Sequence, residues 1–220
     1  MNNPDISVII PVYNHDKFIG RSLRSILDQS IDKSRYEVIV INDFSTDNSK
    51  EIISKYSEKI ILIENPENKG LPYSLNVGIK KARGKYMVRL DSDDYVNKKY
   101  LEILYEFLNW NSEFDAVSCD YLIVDNEEKV LKRESGESEP IGCGIMFKID
   151  KIINLGLYNQ DFLIHEDKEL MIRFQKKYKI GNVKLPLYRY RKHLTNITNN
   201  KTKSKKYFEK LNKWKKKLLN

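Results

Sequence analysis

Two almost unbroken β-branched runs, Ile6-Ser7-Val8-Ile9-Ile10 and Glu37-Val38-Ile39-Val40-Ile41, limit what this chain can become. A strand apolar on both faces belongs in the middle of a parallel sheet covered on both sides. Pro11 cannot continue the hydrogen-bond ladder and ends the first run. Ile19, Leu23, Ile26 and Leu27 then recur at helical spacing, which predicts a helix over about 16–29. After the second run, Asn48 and Glu51 resemble a capping pair for a helix through Ile52, Ile53 and Tyr56. Residues 60–63 read as a third strand. Pro72 suits the first position of a helix reaching about Ala82, which Gly84 ends. Tyr86, Val88 and Leu90 alternate as a fourth strand. Strand and helix thus alternate four times. This implies a doubly wound, mostly parallel, Rossmann-like α/β sheet with helices on both faces.

The second half is more varied. Tyr100, Leu101, Leu104, Phe107 and Leu108 mark an amphipathic helix. Strands are expected at 116–119, 121–124 and 129–132, the last two joined as a hairpin through Asp125–Glu128. A polar loop covers 134–139. Gly142-Cys143-Gly144 makes a tight bend or lets backbone approach a ligand; both readings stand. A short strand at 145–147 and a short helix at 149–155, stopped by Gly156, follow. Glu166-Asp167 opens a helix with Leu170, Met171 and Phe174 on its apolar face. Late strands are expected at 180–183 and 187–190. One domain over 1–198 results, with a nucleotide-binding half to about 95 and an acceptor-binding half beyond it, then a tail at 199–220.

The fourth strand ends in three carboxylates within four residues, Asp91, Asp93 and Asp94. Burying them unpaired is prohibitive, so they belong at the strand's exposed carboxyl end. In doubly wound sheets that rim is where ligands bind. Asp43, after the second strand, falls on the same rim. A hard divalent ion, Mg²⁺ or Mn²⁺, fits such a cluster, since it takes one or two carboxylates and leaves room for substrate phosphates. An acidic turn capping the next helix is the plainer alternative.

Charge narrows the partners. The chain has 39 Lys and Arg against 31 Asp and Glu, yet nine Lys and one Glu lie in residues 201–220. The other 200 residues hold 30 of each sign and are neutral. Nucleic-acid binding spreads basic residues over the folded body, so no nucleic-acid partner is expected. Cys119 and Cys143 form neither a disulfide framework nor a metal spacing, and a reduced, cytoplasmic setting is the default. No apolar run approaches a membrane span, and Ile6–Val12 reads as a buried strand rather than a signal peptide.

Taken in order, Val8-Ile-Ile-Pro-Val-Tyr-Asn14, Val40-Ile-Asn-Asp-Phe-Ser-Thr-Asp47, Asn68-Lys-Gly70 with Asn76, Gly84-Lys-Tyr86 leading to Asp91-Ser-Asp-Asp94, and Glu166-Asp167 resemble glycosyltransferase family 2. Tyr190-Arg191-Lys192-His193 also looks like a family element. The likeness covers about residues 5–198. It implies the type A glycosyltransferase fold and an inverting, metal-dependent transfer of a sugar from a nucleotide diphosphate, a UDP-sugar for preference, to a hydroxyl. The acceptor it implies is a glycan or a lipid-linked saccharide in surface glycan assembly.

The resemblance also implies roles. Pro11, Tyr13, Asn14, Asp43, Asn68, Gly70, Asn76, Asp91 and Ser92 would line the nucleotide site, with Asp43 accepting from the base and Tyr13 stacking on it. Asp91, Asp93 and His193 would hold Mn²⁺ or Mg²⁺. Arg191 would contact the diphosphate. Asp94, Cys143, Gly144 and Glu166 would face the donor or acceptor sugar. Asp167 would be the general base, taking the acceptor's proton across about 3 Å. For Glu166 and Asp167 the plainer role is to stabilise a helix N-terminus, and for Arg191 and His193 a surface basic patch. The sequence departs from the family at Asn42, usually Asp, at Phe44, usually Gly, and at Leu75, often Arg. A bulky residue at 44 argues against a positive φ there.

Tyr207, Leu211, Trp214 and Leu218 recur at helical spacing, with Phe208 and Leu219 beside them and most lysines opposite. Such a helix suits an anionic membrane surface on the inner face of the cell membrane. Equally, its stripe packs on the domain or pairs with another chain, as in a homodimer. Two further functions fit the sequence less well. A nucleotidyltransferase needs a Gly-rich basic loop after the first strand, which Pro11–His15 lacks. A non-catalytic, nucleotide-sugar-binding partner subunit would have no need of intact Asp91, Asp93 and Asp167.

Overall fold

The structure is a computed structural model that describes residues 3–194, 196, 199 and 201–219, the last group without the side chains of 201, 203 and 217–219. Nine strands, β1 (Ile6–Val12), β2 (Tyr36–Asn42), β3 (Ile61–Glu64), β4 (Tyr86–Arg89), β5 (Tyr95–Val96), β6 (Ala116–Val124), β7 (Val130–Glu134), β8 (Ile145–Lys148) and β9 (Ile180–Arg191), form one sheet. Its order is β3-β2-β1-β4-β8-β6-β9-β5, with β7 paired to β6. The first four are parallel. β8 runs antiparallel to β4 and β6, and β9 runs parallel to β6.

Alternation along β1 sorts the two cores. Val8 and Ile10 pack with Ile19, Leu23 and Ile26 of α1 (Asp16–Leu27) and Leu101 and Leu104 of α4 (Tyr100–Trp110). Ile9 packs on the other face with Leu75 and Ile79 of α3 (Leu71–Lys81) and Leu170 and Phe174 of α6 (Glu166–Gln175). Period-two side chains force this division, so helices must cover both faces. Removing one such side chain, as in Ile9→Ala, costs about 2–5 kcal/mol.

Several local expectations change. Pro11 lies within β1, opposite Ile41 of β2. It is tolerated because the pairing with β4 ends at Ile9↔Arg89, so its missing N–H is required on neither side. The strands expected at 116–119 and 121–124 are one strand, and so are those at 180–183 and 187–190. Pro186 is absorbed at a register shift opposite Asp120. Asn48 precedes α2 (Ser49–Ser54) but makes no capping bond. Asp47 caps instead, its Oδ1 accepting from the Ser49 amide at 2.9 Å and its Oδ2 from the Asp16 amide at 2.9 Å. One carboxylate thus starts both α2 and α1.

The last helix, α7 (Lys201–Leu219), packs on the segment before α6. Leu211 is buried, Trp214 meets Phe162 with ring centroids 6.1 Å apart, and Phe208 meets His165 at 6.0 Å. The lysine side chains described on this helix are exposed, and Lys210 donates to the Asp161 carbonyl at 2.6 Å. The side chains of Leu218 and Leu219, expected on the same stripe, lie outside the described residues.

Candidate active site

The sheet order reverses between β1 and β4, and there the carboxyl ends of the strands open a crevice. Arg89 is the last residue of β4 and is buried. A guanidinium in that place must be met by carboxylates. Its Nε and Nη2 donate to Oδ1 and Oδ2 of Asp91 at 2.5 and 2.9 Å, and its Nη1 donates to Oε1 of Glu166 at 2.7 Å. Burial works against the charge on Arg89, but Asp91 and Glu166 outweigh it and hold the group firmly protonated. Burial pushes the Glu166 carboxyl up to about 7 despite Arg89.

Asp167 follows at the first turn of α6, half-buried, and its Oδ2 accepts from the Gly142 amide at 3.4 Å. A Cβ at Gly142 would stand 2.6 Å from the Asp167 Cβ, so only glycine allows this approach. The turn 142–144 therefore bends and also brings backbone to the base candidate. It carries Cys143, whose Sγ lies with carboxylate oxygens of Asp91 and Asp94 in a group spanning no more than 4.8 Å. Gly144 closes the turn through its amide to the Ile141 carbonyl at 3.0 Å.

The acidic turn divides. Asp94 is buried and accepts from the Arg191 amide at 2.7 Å and the Tyr188 hydroxyl at 2.8 Å. Burial, then Asp93 and Asp91, raises its pKa well above the usual carboxylate range. Asp93 turns to His193, with Oδ2 2.9 Å from Nε2, and the contact holds Asp93 below its ordinary value against the pull of burial. Ser92 lies buried under His15, 2.6 Å from its Nδ1. The Arg191 guanidinium is spent on protein: Nε donates to the Asp93 carbonyl, Nη1 to those of Asp125 and Asn126, and Nη2 to Glu128. It braces the acidic turn against the β6–β7 hairpin.

The chemistry of this donor set suits a hard divalent ion. Carboxylate oxygens of Asp91 and Asp94 come together here, and burial, followed by the like charges of Asp93 and Asp91, raises the pKa of Asp94; a cation would relieve that charge. Cys143 does not fit such an ion, because burial pushes its thiol well above the ordinary range and a protonated thiol is a poor ligand for it.

A second cluster sits at the end of β2. Asp43 is buried and its carboxylate accepts from Asn65 Nδ2 at 2.7 Å, the Lys69 amide at 3.0 Å and the Gly70 amide at 2.8 Å. Gly70 has φ 86 and also donates to Asn68 Oδ1 at 3.1 Å. Phe44 has φ 63, contrary to the expectation from its bulk. Neighbouring bonds enforce it: the Asp43 amide to Val12 carbonyl, the Ser45 amide to Asn42 Oδ1, and the Thr46 amide to Asn14 Oδ1. Tyr13 and Phe44 consequently stand exposed at the mouth. Asn76 lies apart from this cluster. It holds Tyr158 through two bonds of 2.9 Å each.

Two residues important to this geometry escaped the sequence reading. Arg89 had a signal, a lone cation in a strand leading to carboxylates. Tyr188 had none, since its 94-residue separation from Asp94 exists only through the β5–β9 pairing.

Comparison with known proteins agrees with this arrangement. The sequence profile of Glycosyl transferase family 2 matches residues 7–175. The minor teichoic acid biosynthesis protein GgaB of Bacillus subtilis is 31% identical over 209 residues, which is 86% of this chain and 23% of GgaB. A poly(ribitol-phosphate) beta-glucosyltransferase of Bacillus spizizenii is 39% identical over 110 residues, 48% of this chain and 17% of that protein. The chain thus spans under half the length of these curated relatives. Among solved structures, Staphylococcus aureus TarS 1–349 in complex with UDP-GlcNAc superposes with a TM-score of 0.77 at 24% identity, covering 89% of this chain and 61% of that one. The mannosyltransferase PcManGT of Pyrobaculum calidifontis, with GDP-Man and Mn²⁺, gives 0.76 at 18% identity, covering 94% and 63%. These likenesses establish the fold as the type A glycosyltransferase fold. The chain belongs to glycosyl transferase family 2.

Proposed function

We propose that this chain transfers a sugar from a nucleoside diphosphate, a UDP-sugar, to a hydroxyl of a surface-glycan acceptor, with inversion at the anomeric carbon. The observation that carries this reading is the continuous line Asp91–Arg89–Glu166 beside Asp167, which draws strand β4 and helix α6 onto one rim. Asp167 takes the proton of the acceptor hydroxyl as its oxygen bonds to the anomeric carbon. The bond from that carbon to the diphosphate breaks on the opposite face, and the nucleoside diphosphate leaves with the electron pair. Glu166, held by Arg89, keeps the start of α6 in place. Asp91 and Asp94, with Asp93 and His193 beside them, would hold Mn²⁺ or Mg²⁺. When bound, that ion neutralises charge on the departing diphosphate. The mouth formed by Tyr13, Asn14, Asp43 and the loop ending at Gly70 receives the nucleoside.

Relatives named for poly(ribitol-phosphate) and teichoic acid support a phosphate-rich glycan acceptor, and the UDP-GlcNAc complex of TarS supports a uridine donor. The Mn²⁺ complex of PcManGT supports a divalent ion. No helix among the described residues is long and apolar enough to cross a membrane. The test is Asp167→Asn. Calorimetric binding of a UDP-sugar with Mn²⁺ should persist while turnover collapses by about a hundredfold or more. Unchanged turnover would defeat the assignment.

A further inference from the structure

A groove of about 560 Å³ lies away from the acidic turn, between α3, α7 and the loop that precedes α6. Its lining includes Lys80, Tyr158, Asn159, Gln160 and Trp214. The volume is that of a small-molecule site. The chemistry is mixed: an indole, three primary amides counting Asn76, a lysine, and Glu169 neutralised by its ion pair with Arg173 at 2.6 Å. An indole packs against the C–H face of a polyol or sugar, and amides meet its hydroxyls.

Two features connect this groove to the proposed chemistry. Tyr158 is buried beside it, bonded to Asn76 of α3, and burial, more than the neighbouring charges of Arg89, Glu166 and Asp167, raises its phenol above the ordinary range. Arg173, another lining residue, lies on α6, the helix that begins at Glu166 and Asp167. The groove therefore ends beside the helix of the base candidate.

The third feature is charge. Docking of α7 buries Leu211 and sets Trp214 against Phe162, so part of its apolar stripe is used on the domain. Lys205, Lys206, Lys213, Lys215 and Lys216 remain exposed on the helix that supplies Trp214, while residues 1–200 are neutral. A concentrated positive helix beside a groove lined for hydroxyls complements a chain bearing both hydroxyls and phosphates.

We infer that this groove, with the lysines of α7, is a binding site for a phosphodiester-linked polyol or sugar polymer. The inference rests on the proposed transfer reaction for its purpose but not for its test. Binding is read directly from the fluorescence of Trp214 in a Trp110→Phe background, using poly(ribitol phosphate), neutral dextran and phosphatidylglycerol vesicles as separate probes. The polymer should change the emission and dextran should not, and added salt should weaken the polymer response. Lys80→Glu, an exposed change on α3, should weaken polymer binding about tenfold and leave UDP-sugar binding by calorimetry unaltered. Trp214→Ala, followed by calorimetry, should weaken the polymer alone. Equal binding of dextran, a response to vesicles and not to polymer, or an unaltered polymer affinity in Lys80→Glu would each overturn the inference. Loss of turnover in Asp167→Asn with polymer binding intact would leave both readings standing; intact turnover there, with polymer binding present, would remove only the catalytic one.

Discussion

Arg89 Nη1 lies 2.7 Å from Glu166 Oε1, joining two residues 77 positions apart in the chain. The same guanidinium grips both oxygens of Asp91. A strand end and a helix start are thereby locked through one buried cation, with a side-chain exposure of 7%.

Replacing Arg89 by Met should be among the most damaging changes in the molecule. It strands Glu166 and Asp91 in a poorly hydrated setting. The expected loss is about 3–5 kcal/mol of stability, measured by urea unfolding. A variant as stable as the parent would show that the bridge is not formed in solution.

Stability should vary with pH through Glu166. Its carboxyl is raised from 4.5 to about 7, chiefly by burial. A carboxyl with a higher pKa folded than unfolded favours the fold fully below about 4.5, and that advantage fades as pH climbs to about 7. The span corresponds to about 3 kcal/mol at most. Glu166→Gln stays neutral throughout. Its unfolding free energy, followed from pH 4 to 8, should decline less than that of the parent, and parallel curves would contradict the assignment.

Gly142→Ala should separate binding from turnover. The added methyl meets the Asp167 Cβ at 2.6 Å, so one of the two backbones must shift. Displacement of a base by about 1 Å costs about a hundredfold in rate. Steady-state kinetics should show kcat falling while donor affinity, measured by calorimetry, holds.

Tyr188→Phe should weaken the acidic turn. The hydroxyl accepts from the Asp91 amide at 3.2 Å and donates to Asp94 at 2.8 Å. Removing it costs about 1–3 kcal/mol. Thermal unfolding with and without Mn²⁺ should also show a smaller stabilisation by the ion in the variant.

The parallel half of the sheet was readable because its strands advertise burial on two faces. Ile6–Ile10 and residues 37–41 have no polar face to present. The acidic rim was readable for the opposite reason, that Asp91, Asp93 and Asp94 cannot be buried unpaired; Asp94 is nevertheless buried, because the Tyr188 hydroxyl and the Arg191 amide satisfy it. The merging of 180–183 with 187–190 was hidden by Pro186, whose missing N–H argues locally for a break that a distant bulge at Asp120 removes. Phe44 misled in the same way. Its side chain disfavours φ 63, but three hydrogen bonds from separate segments impose it. The partition of Asp93 to His193 and Asp94 to Tyr188 depended on the register of β9 against β5, which spacing along the chain does not encode.

That register has a consequence for biosynthesis. Both donors that satisfy the Asp94 carboxylate come from β9, the Tyr188 hydroxyl 94 residues later and the Arg191 amide 97 residues later. While the ribosome is still making the intervening helices, the Asp94 carboxylate has neither donor, and the turn is held only by local bonds such as that of the Asp94 amide to the Asp91 carbonyl. A nascent polypeptide therefore completes this acidic turn only after its ninth strand has emerged.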